Sequence, residues 1–181
     1  MDDYIYRSVT KLIKKYKTRD PFEILSAMGA VVFETSNYKS LKGYTFLSCR
    51  TVYVAVSDRL DDAQKRIVAA HELAHAVLHR DMLKIAPMGD SRIYDMTSRT
   101  EYEANLFAAD LLISDEDIAS LSADDDSDYF KLCGILRVSP ELMSFKLFSL
   151  VKRGYSYNIP MTPDSRFLGR NFDPAHPTGQ P

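Results

Sequence analysis

The chain has 181 residues, of which 45% are hydrophobic and 27% are charged. These values are typical of one globular domain with a sizeable core and room for a small appended module. The formal net charge of -2 argues against a nucleic-acid-binding protein whose affinity comes from a generally basic surface. No apolar run approaches the roughly 18 residues of a membrane span, and the first residues lack the basic start and apolar stretch of a signal peptide. We therefore expect a cytoplasmic protein with no membrane partner.

Two helices are predicted near the start of the chain. Residues 3 to 18 carry apolar side chains on one side of a helix, with lysines and arginines on the other. Asp20 and Pro21 are typical of an N-cap and a first helical position. A second, short helix should therefore follow, and Gly29 is expected to end it.

Three segments with the composition of β-strands come next, at residues 30 to 34, 43 to 47 and 51 to 56. The second and third are predicted to form a hairpin across the three residues between them. Two interpretations of the third strand stay open. It is either a core strand or a strand whose edge holds an extended peptide substrate.

A long helix with a metal-binding pattern is predicted over residues 61 to 80. Asp61 begins it as the N-cap of a capping box that is completed by Gln64. Within it, His71 and His75 lie one turn apart on the same face, so both imidazoles can converge on one ion. Glu72 projects from the adjacent edge, where a carboxylate can take a proton from a metal-bound water. The pattern His-Glu-x-x-His thus predicts a zinc hydrolase.

Two further side chains near this helix are weaker candidates. On an unbroken helix His79 would lie roughly 12 Å along the axis from His71, too far for both to bind the same ion. We interpret His79 as part of the pocket rim or of the packing. Tyr94, in the following loop, is a candidate hydrogen-bond donor to the oxyanion of the reaction, although anchoring of the loop is the role that we favour.

A second helix is predicted from Ser98 to residue 113, again with a capping box at its start. Glu101 and Asn105 lie one turn apart on it, next to alanines that let two helices approach closely. Glu101 can supply the third zinc ligand, and Asn105 can hydrogen-bond the far nitrogen of a liganding histidine. Glu103 is the competing ligand, about 200 degrees round the helix from Glu101. We favour Glu101 because it shares a face with Asn105.

The segments RIVAAHELAHAVLH (residues 66 to 79) and EYEANLFAADLLI (residues 101 to 113) resemble the ImmA/IrrE family of zinc metallopeptidases. The first motif occurs in many zinc peptidases, whereas the pair in this order and spacing is much more diagnostic. The resemblance covers roughly residues 20 to 155, including Asp-Pro-Phe-Glu at its start. The family that the chain resembles consists of bacterial and phage proteins that relieve repression by cutting a helix-turn-helix repressor.

The resemblance implies particular roles for residues of this chain. The zinc ligands would be His71, His75 and Glu101, and the general base would be Glu72. Related gluzincins carry aspartate where this chain has Asn105. Asparagine keeps the hydrogen-bond acceptor but lacks the charge, so its orienting role would be weaker.

Helices are also predicted at residues 115 to 121, 129 to 136 and 140 to 152, and the last two resemble a helix-turn-helix. Only Lys146, Lys152 and Arg153 are basic in or next to the second of these. Reading DNA requires base-edge donors and phosphate-neutralising flanks, so we expect packing or repressor docking and no direct DNA binding. Beyond residue 155, prolines and the lack of periodicity predict an extended or disordered tail.

We therefore expect an α+β fold in which a small zincin-like sheet, the metal helix and the glutamate helix precede a helix-turn-helix-like C-terminal part. The expected divisions are a metallopeptidase domain at 1–122, a helical extension packed on it at 123–155 and the tail at 156–181. The expected function is a Zn²⁺-dependent endopeptidase that cleaves a repressor and derepresses its regulon or mobile element. The alternative is a non-catalytic zinc-binding antirepressor that sequesters the repressor. Glu72 favours the peptidase, because a structural zinc site needs no base.

Overall fold

The structure is a computed structural model that describes residues 3–36, 42–85, 97–122 and 128–157. These residues form eight helices and a three-stranded sheet. The predicted α+β class is confirmed. In chain order the elements are α1 (Asp3–Tyr16), α2 (Pro21–Ala27), β1 (Val31–Thr35), β2 (Gly43–Ser48), β3 (Thr51–Ser57), α3 (Asp62–Leu78), α4 (Arg80–Leu83), α5 (Thr97–Leu112), α6 (Asp115–Leu121), α7 (Tyr129–Leu136) and α8 (Pro140–Lys152).

The sheet has the order β1-β3-β2, with β1 parallel and β2 antiparallel to β3. The predicted β2–β3 hairpin is confirmed. Cys49 and Arg50 form its turn, with φ of 47° and 67°, and two successive positive φ values are those of a type I′ turn. Because β3 bonds to a strand on both sides, it is a core strand and neither of its edges is open to a peptide.

The first strand begins one residue later than predicted, because Ala30 belongs to the end of α2. Its N–H donates to the carbonyl of Leu25 at 3.0 Å, and the N–H of Gly29 donates to Ser26 at 2.9 Å. With Gly29 at a φ of 74°, this is a Schellman motif, in which the residue after the glycine still satisfies a helix carbonyl.

Helix α3 lies between the sheet and α5. Its predicted capping box is present, with the Asp61 carboxylate accepting from the N–H of Gln64 at 2.8 Å and the Gln64 side chain accepting from the N–H of Asp61 at 3.3 Å. All its residues from 67 to 76 are buried. Ala104 and Ala108 of α5 are fully buried, and such small side chains allow the two helices to approach closely.

Helix α8 shares the core of the rest of the molecule. Leu142, Phe145 and Leu150 are buried in the same hydrophobic cluster as α3 and α5. Lys146, which sequence analysis counted among the few basic residues of this helix, is 0% exposed. Its ammonium group lies 3.0 Å from the carboxylate of Asp110. The helix-turn-helix assignment and the domain divisions stay predictions.

Some of the sequence predictions fall on other parts of the chain. Tyr94 and residues 158–181 lie outside the described residues. Cys49 and Cys133 are both free cysteines, the second of them buried. Among the described helices, none has the length and apolar character that a bilayer crossing requires.

Candidate metal centre

Two imidazoles of α3 and one carboxylate of α5 converge at the α3–α5 interface. The Nε2 atoms of His71 and His75 lie 3.0 Å apart. The two carboxylate oxygens of Glu101 lie 3.0 Å from His71 Nε2 and 3.4 Å from His75 Nε2. One ligand atom from each residue falls within 4.8 Å of the others, so the three form a group that could hold a metal ion.

The chemistry of these donors fits a divalent ion such as zinc. Two nitrogens that each lie 2.0–2.1 Å from a tetrahedral zinc are about 3.3 Å apart, close to the separation of the two imidazoles here. Burial lowers the pKa of His75 to about 4, which leaves its imidazole neutral at neutral pH, as a metal ligand must be. The Glu101 side chain is 31% exposed, so the group opens to solvent on this side.

The protonation of the other two ligands is set by their contact with each other. Burial alone would lower the pKa of His71 and raise the pKa of Glu101, yet the bond between them reverses both directions. The pKa of Glu101 is held well below its usual range, so the carboxylate is ionised. A metal ion would displace the proton that His71 shares with Glu101.

The far side of His71 is held by Asn105, which is fully buried on α5. Asn105 Oδ1 lies 2.8 Å from His71 Nδ1. Because an amide oxygen only accepts, Nδ1 carries a proton, and Nε2 would present its lone pair to a metal ion that displaces the proton shared with Glu101. The structure thus brings together the two residues that sequence analysis paired.

Glu72 lies on the side of α3 that faces β2, and it is only 4% exposed. Burial raises the pKa of Glu72 to about 7, against the lowering effects of His71 and of Thr45. The hydroxyl of Thr45 donates to Glu72 Oε2 at 2.6 Å. This contact orients the carboxylate and stabilises its ionised form.

Gly43, also on β2, is a second neighbour of Glu72, and it allows β2 to lie close enough to α3 for the contact between Thr45 and Glu72. A Cβ atom there would lie 2.4 Å from Val68 Cγ1 and 3.0 Å from Glu72 Oε1. Only glycine therefore lets β2 come this close to α3. Sequence analysis missed Gly43 and Thr45. The one feature of the sequence that could have indicated them is their two-residue spacing, which puts both on the same face of a strand.

Glu103, the competing ligand, points away from the centre. Its Oε2 lies 3.1 Å from His79 Nε2, and His79 Nδ1 lies 3.0 Å from His75 Nδ1. His79 is buried at the end of α3. The interpretation of His79 as rim or packing therefore missed its contact with a histidine of the centre.

The family of the chain follows from comparison with known proteins. Residues 26–148, more than half of the chain, match the model of the IrrE N-terminal-like domain, a peptidase family. The chain belongs to this family. The match includes β1 to β3, α3 and α5, and it confirms the resemblance to ImmA/IrrE proteins that the two motifs indicated.

A phage protein also resembles the chain. The uncharacterized immunity region protein 2 of Bacillus phage phi105 is 33% identical over 111 residues, which are 61% of this chain and 69% of the phage protein. Membership of a peptidase family suggests a metallopeptidase.

Proposed function

We propose that this protein is a zinc-dependent endopeptidase that cleaves a helix-turn-helix transcriptional repressor. The observation that carries the proposal is the buried Glu72 carboxylate, held by Thr45 directly next to the convergent His71, His75 and Glu101. Family membership and the immunity-region relative support it. A repressor acts on DNA in the cytoplasm, which is the compartment that we propose for this protein.

In this proposal His71, His75 and Glu101 hold the zinc, and three protein ligands leave one position open, as in catalytic zinc sites. When bound, zinc supplies the Lewis acidity that activates a water molecule and polarises the scissile carbonyl. Glu72 takes the proton of the attacking water and passes it to the departing amine. A carboxyl group with a pKa of about 7 is suited to both steps, because it can gain and lose a proton near neutral pH.

The position of the sheet suggests how a substrate is held. β2 is an outer strand of the described sheet, and two of its residues, Gly43 and Thr45, contact Glu72 or lie directly against it. We propose that the substrate segment lies extended along β2, where main-chain hydrogen bonds to a strand edge can hold it. Since a repressor is folded, the cut segment must be an exposed loop or a locally unfolded region.

Direct DNA binding forms no part of this proposal. Of the three basic residues in or beside α8, Lys146 is buried against Asp110 and Arg153 pairs with Asp115 at 2.5 Å. These side chains are engaged inside the molecule instead of lining a surface that could neutralise phosphates.

The test is incubation of the zinc-loaded protein with the helix-turn-helix repressor encoded beside its gene, followed by mass spectrometry of the products. We expect two fragments from a single cut, their loss on addition of a chelator, and their return when zinc is restored. If the repressor is released from DNA but stays intact, the protein is an antirepressor and the proposed mechanism is wrong.

A further inference from the structure

We propose that His79 and Glu103 are positioning residues that orient His75 toward the metal and fix its tautomer. The three side chains His75, His79 and Glu103 are called the relay below. This inference rests on the proposed function, because it takes His75 as a ligand. It goes beyond that function by giving a role to two residues outside the ligand set.

The relay is a continuous, buried chain of contacts from α3 to α5. His75 Nδ1 lies 3.0 Å from His79 Nδ1, and His79 Nε2 lies 3.1 Å from Glu103 Oε2. The exposed fractions of the three residues are 1%, 5% and 8%. Hydrogen bonds in such a dry place are strong, and each polar atom in it requires a partner.

Only one arrangement of protons lets His75 bind a metal through Nε2. Its Nε2 must then be unprotonated, so Nδ1 carries the proton and donates it to His79 Nδ1. His79 consequently has its own proton on Nε2, where it donates to the Glu103 carboxylate. Every atom of the relay is satisfied in this one pattern. Glu103 can therefore polarise His75 through His79 and strengthen it as a ligand.

Glu103 is itself fixed by groups on its other side. Arg99, one turn earlier on α5, donates from Nε to Glu103 Oε1 at 2.9 Å, and Tyr4 of α1 also hydrogen-bonds Glu103. A carboxylate with three donors is held in one rotamer. The far end of the relay is thus anchored to two elements.

The place of His79 in the backbone explains how it can bridge the two helices. It is the C-cap of α3, with φ of -116° and ψ of 21°, so the regular helix ends there. Its N–H still donates to the carbonyl of His75 at 3.1 Å. The imidazole therefore stays one turn beyond His75 and spans the gap to Glu103.

The two ligand histidines are supported by groups of different charge. A neutral amide, Asn105, accepts from His71, whereas a carboxylate acts on His75 through a second imidazole. Loss of the relay should weaken metal binding, because His75 would no longer be held by a charged group. It should not unfold α3, because the apolar core around the helix stays intact.

The test measures the zinc dissociation constant by competition with a chromophoric chelator, and it uses four relay variants and one control variant of the full chain. His79→Phe keeps a ring but removes both ring nitrogens, and Glu103→Gln removes the charge. The third variant combines the two changes. His79→Gln is the conservative variant, since its amide can still accept from His75 and donate to Glu103. Glu34→Gln is the matched control, because Glu34 pairs with Lys65 of α3 at the surface.

We expect His79→Phe and Glu103→Gln each to weaken zinc binding by about 10- to 100-fold, as loss of such outer partners does elsewhere. The double variant should be no weaker than the worse single variant, because Glu103 acts only through His79. His79→Gln should recover part of the loss, and the visible spectrum of the cobalt(II) protein should change in the single variants. Glu34→Gln should bind zinc as the wild type does, and the losses of zinc affinity in the relay variants should not follow the stability of their metal-free forms.

Three results would overturn the relay: single variants with zinc affinity near that of the wild type, losses that multiply in the double variant, or losses that simply follow the stability of the metal-free protein. If the wild type binds zinc and cleaves but the variants bind normally, the relay alone fails. If the wild type binds zinc and does not cleave, the peptidase proposal alone fails. A wild type that binds no zinc contradicts both.

Discussion

A hydrogen bond with one side chain orients a proposed metal ligand of the candidate site, and another orients the proposed general base. Asn105 holds the imidazole of His71, and the hydroxyl of Thr45 holds the carboxylate of Glu72 at 2.6 Å. A general base must stand within reach of the proton that it removes, so a carboxylate that can rotate is a poorer base. The function of Glu72 should therefore depend on Thr45, a residue outside the set of proposed metal ligands.

Thr45→Val tests this dependence, because valine keeps the shape of threonine and removes only the donor. A hydrogen bond to a charged group contributes about 1.5–3 kcal/mol, so we expect the cleavage rate to fall by about tenfold or more. Zinc affinity should stay within about twofold of wild type, since the ligands are unchanged. Thr51→Val, the same change elsewhere in the hairpin, is the control. An unaltered cleavage rate in Thr45→Val would show that the hydroxyl does not position the base.

Helical spacing placed His71 with His75 on one face of α3 and Glu101 with Asn105 on one face of α5, because an i,i+4 pair shares a face whatever surrounds the helix. The same argument gave only a distance for His79. Its actual partner depends on where α3 ends and on the position of α5, and neither follows from periodicity. The contact of Thr45 with Glu72 joins residues 27 positions apart, and no local pattern records such a pair.

At the scale of elements, the packing of β2 against α3 depends on one residue without a side chain. A methyl group at Gly43 would approach Val68 Cγ1 to 2.4 Å and the carbonyl oxygen of Ala55 to 3.1 Å. Valine in a helix is restricted to one rotamer, and the carbonyl belongs to the neighbouring strand, so neither can yield easily. The strand must then move away from Glu72.

Gly43→Ala should therefore destabilise the protein by about 1–3 kcal/mol, as overpacking of a dense interior does. It should also slow cleavage more than it weakens zinc binding, because Thr45 moves with the strand. Urea unfolding and steady-state kinetics would measure the two effects.

The matched control for this prediction is Gly134→Ala. Apart from its chain neighbours and the backbone of its own helix, no described residue has an atom within 4 Å of a Cβ at Gly134. In the interior of α7 alanine should stabilise by about 0.5–1 kcal/mol. Equal stability of Gly43→Ala and the wild type would contradict the close approach of β2.

Local signals predicted the elements well and their arrangement poorly. The caps at Asp20 and Asp61 mark helix starts because they satisfy N–H groups of the same short segment. The parallel pairing of β1 with β3 joins strands that are distant in the sequence, and the similar composition of the three strands does not indicate which of them pair. Sequence analysis consequently left open whether β3 was an edge strand.

At the scale of the whole molecule, a charged network connects α1, α5, α6 and α8. Asp115 accepts from Lys146 at 2.6 Å and from both terminal nitrogens of Arg153 at 2.5 and 2.8 Å. The guanidinium of Arg153 also stacks 3.7 Å from the ring centre of Tyr6. The C-terminal helix is thus joined to the rest of the molecule by buried charges as well as by the apolar core.

This network makes stability depend on pH in one direction. Burial alone would raise the pKa of Asp115, but the bonds from Arg153 and Lys146 hold its pKa well below the usual range. Because the folded pKa is below the unfolded value of about 3.9, ionised Asp115 stabilises the fold above that pH. The contribution is lost as the pH falls below about 4 toward the folded pKa.

Asp115→Asn should lower the free energy of unfolding by about 2 kcal/mol at neutral pH, the value of a hydrogen bond to a charged group. The difference from wild type should narrow as the pH is lowered below about 4. Urea unfolding at several pH values measures both quantities. Glu116→Gln, an exposed change on the same helix, should have little effect. A difference that is absent or independent of pH would mean that the network does not stabilise the fold.

The sequence did not predict this charged network, because a lysine in an amphipathic pattern is normally solvated. Sequence analysis therefore counted Lys146 only as one of the few basic residues of the last helix. It is buried because Asp110 and Asp115 come from two other helices to meet it, and that meeting exists only in the folded chain.

The measurement that tests the central claim most directly compares wild type with Glu72→Gln, both loaded with zinc and mixed with the repressor. Glutamine keeps the size of the side chain and can still accept from Thr45, but it is no longer a base. We expect equal zinc content and a fall in cleavage rate of about 10²–10⁴-fold, the contribution of general base catalysis. A zinc-loaded Glu72→Gln variant that cleaves the repressor as fast as wild type would contradict the account.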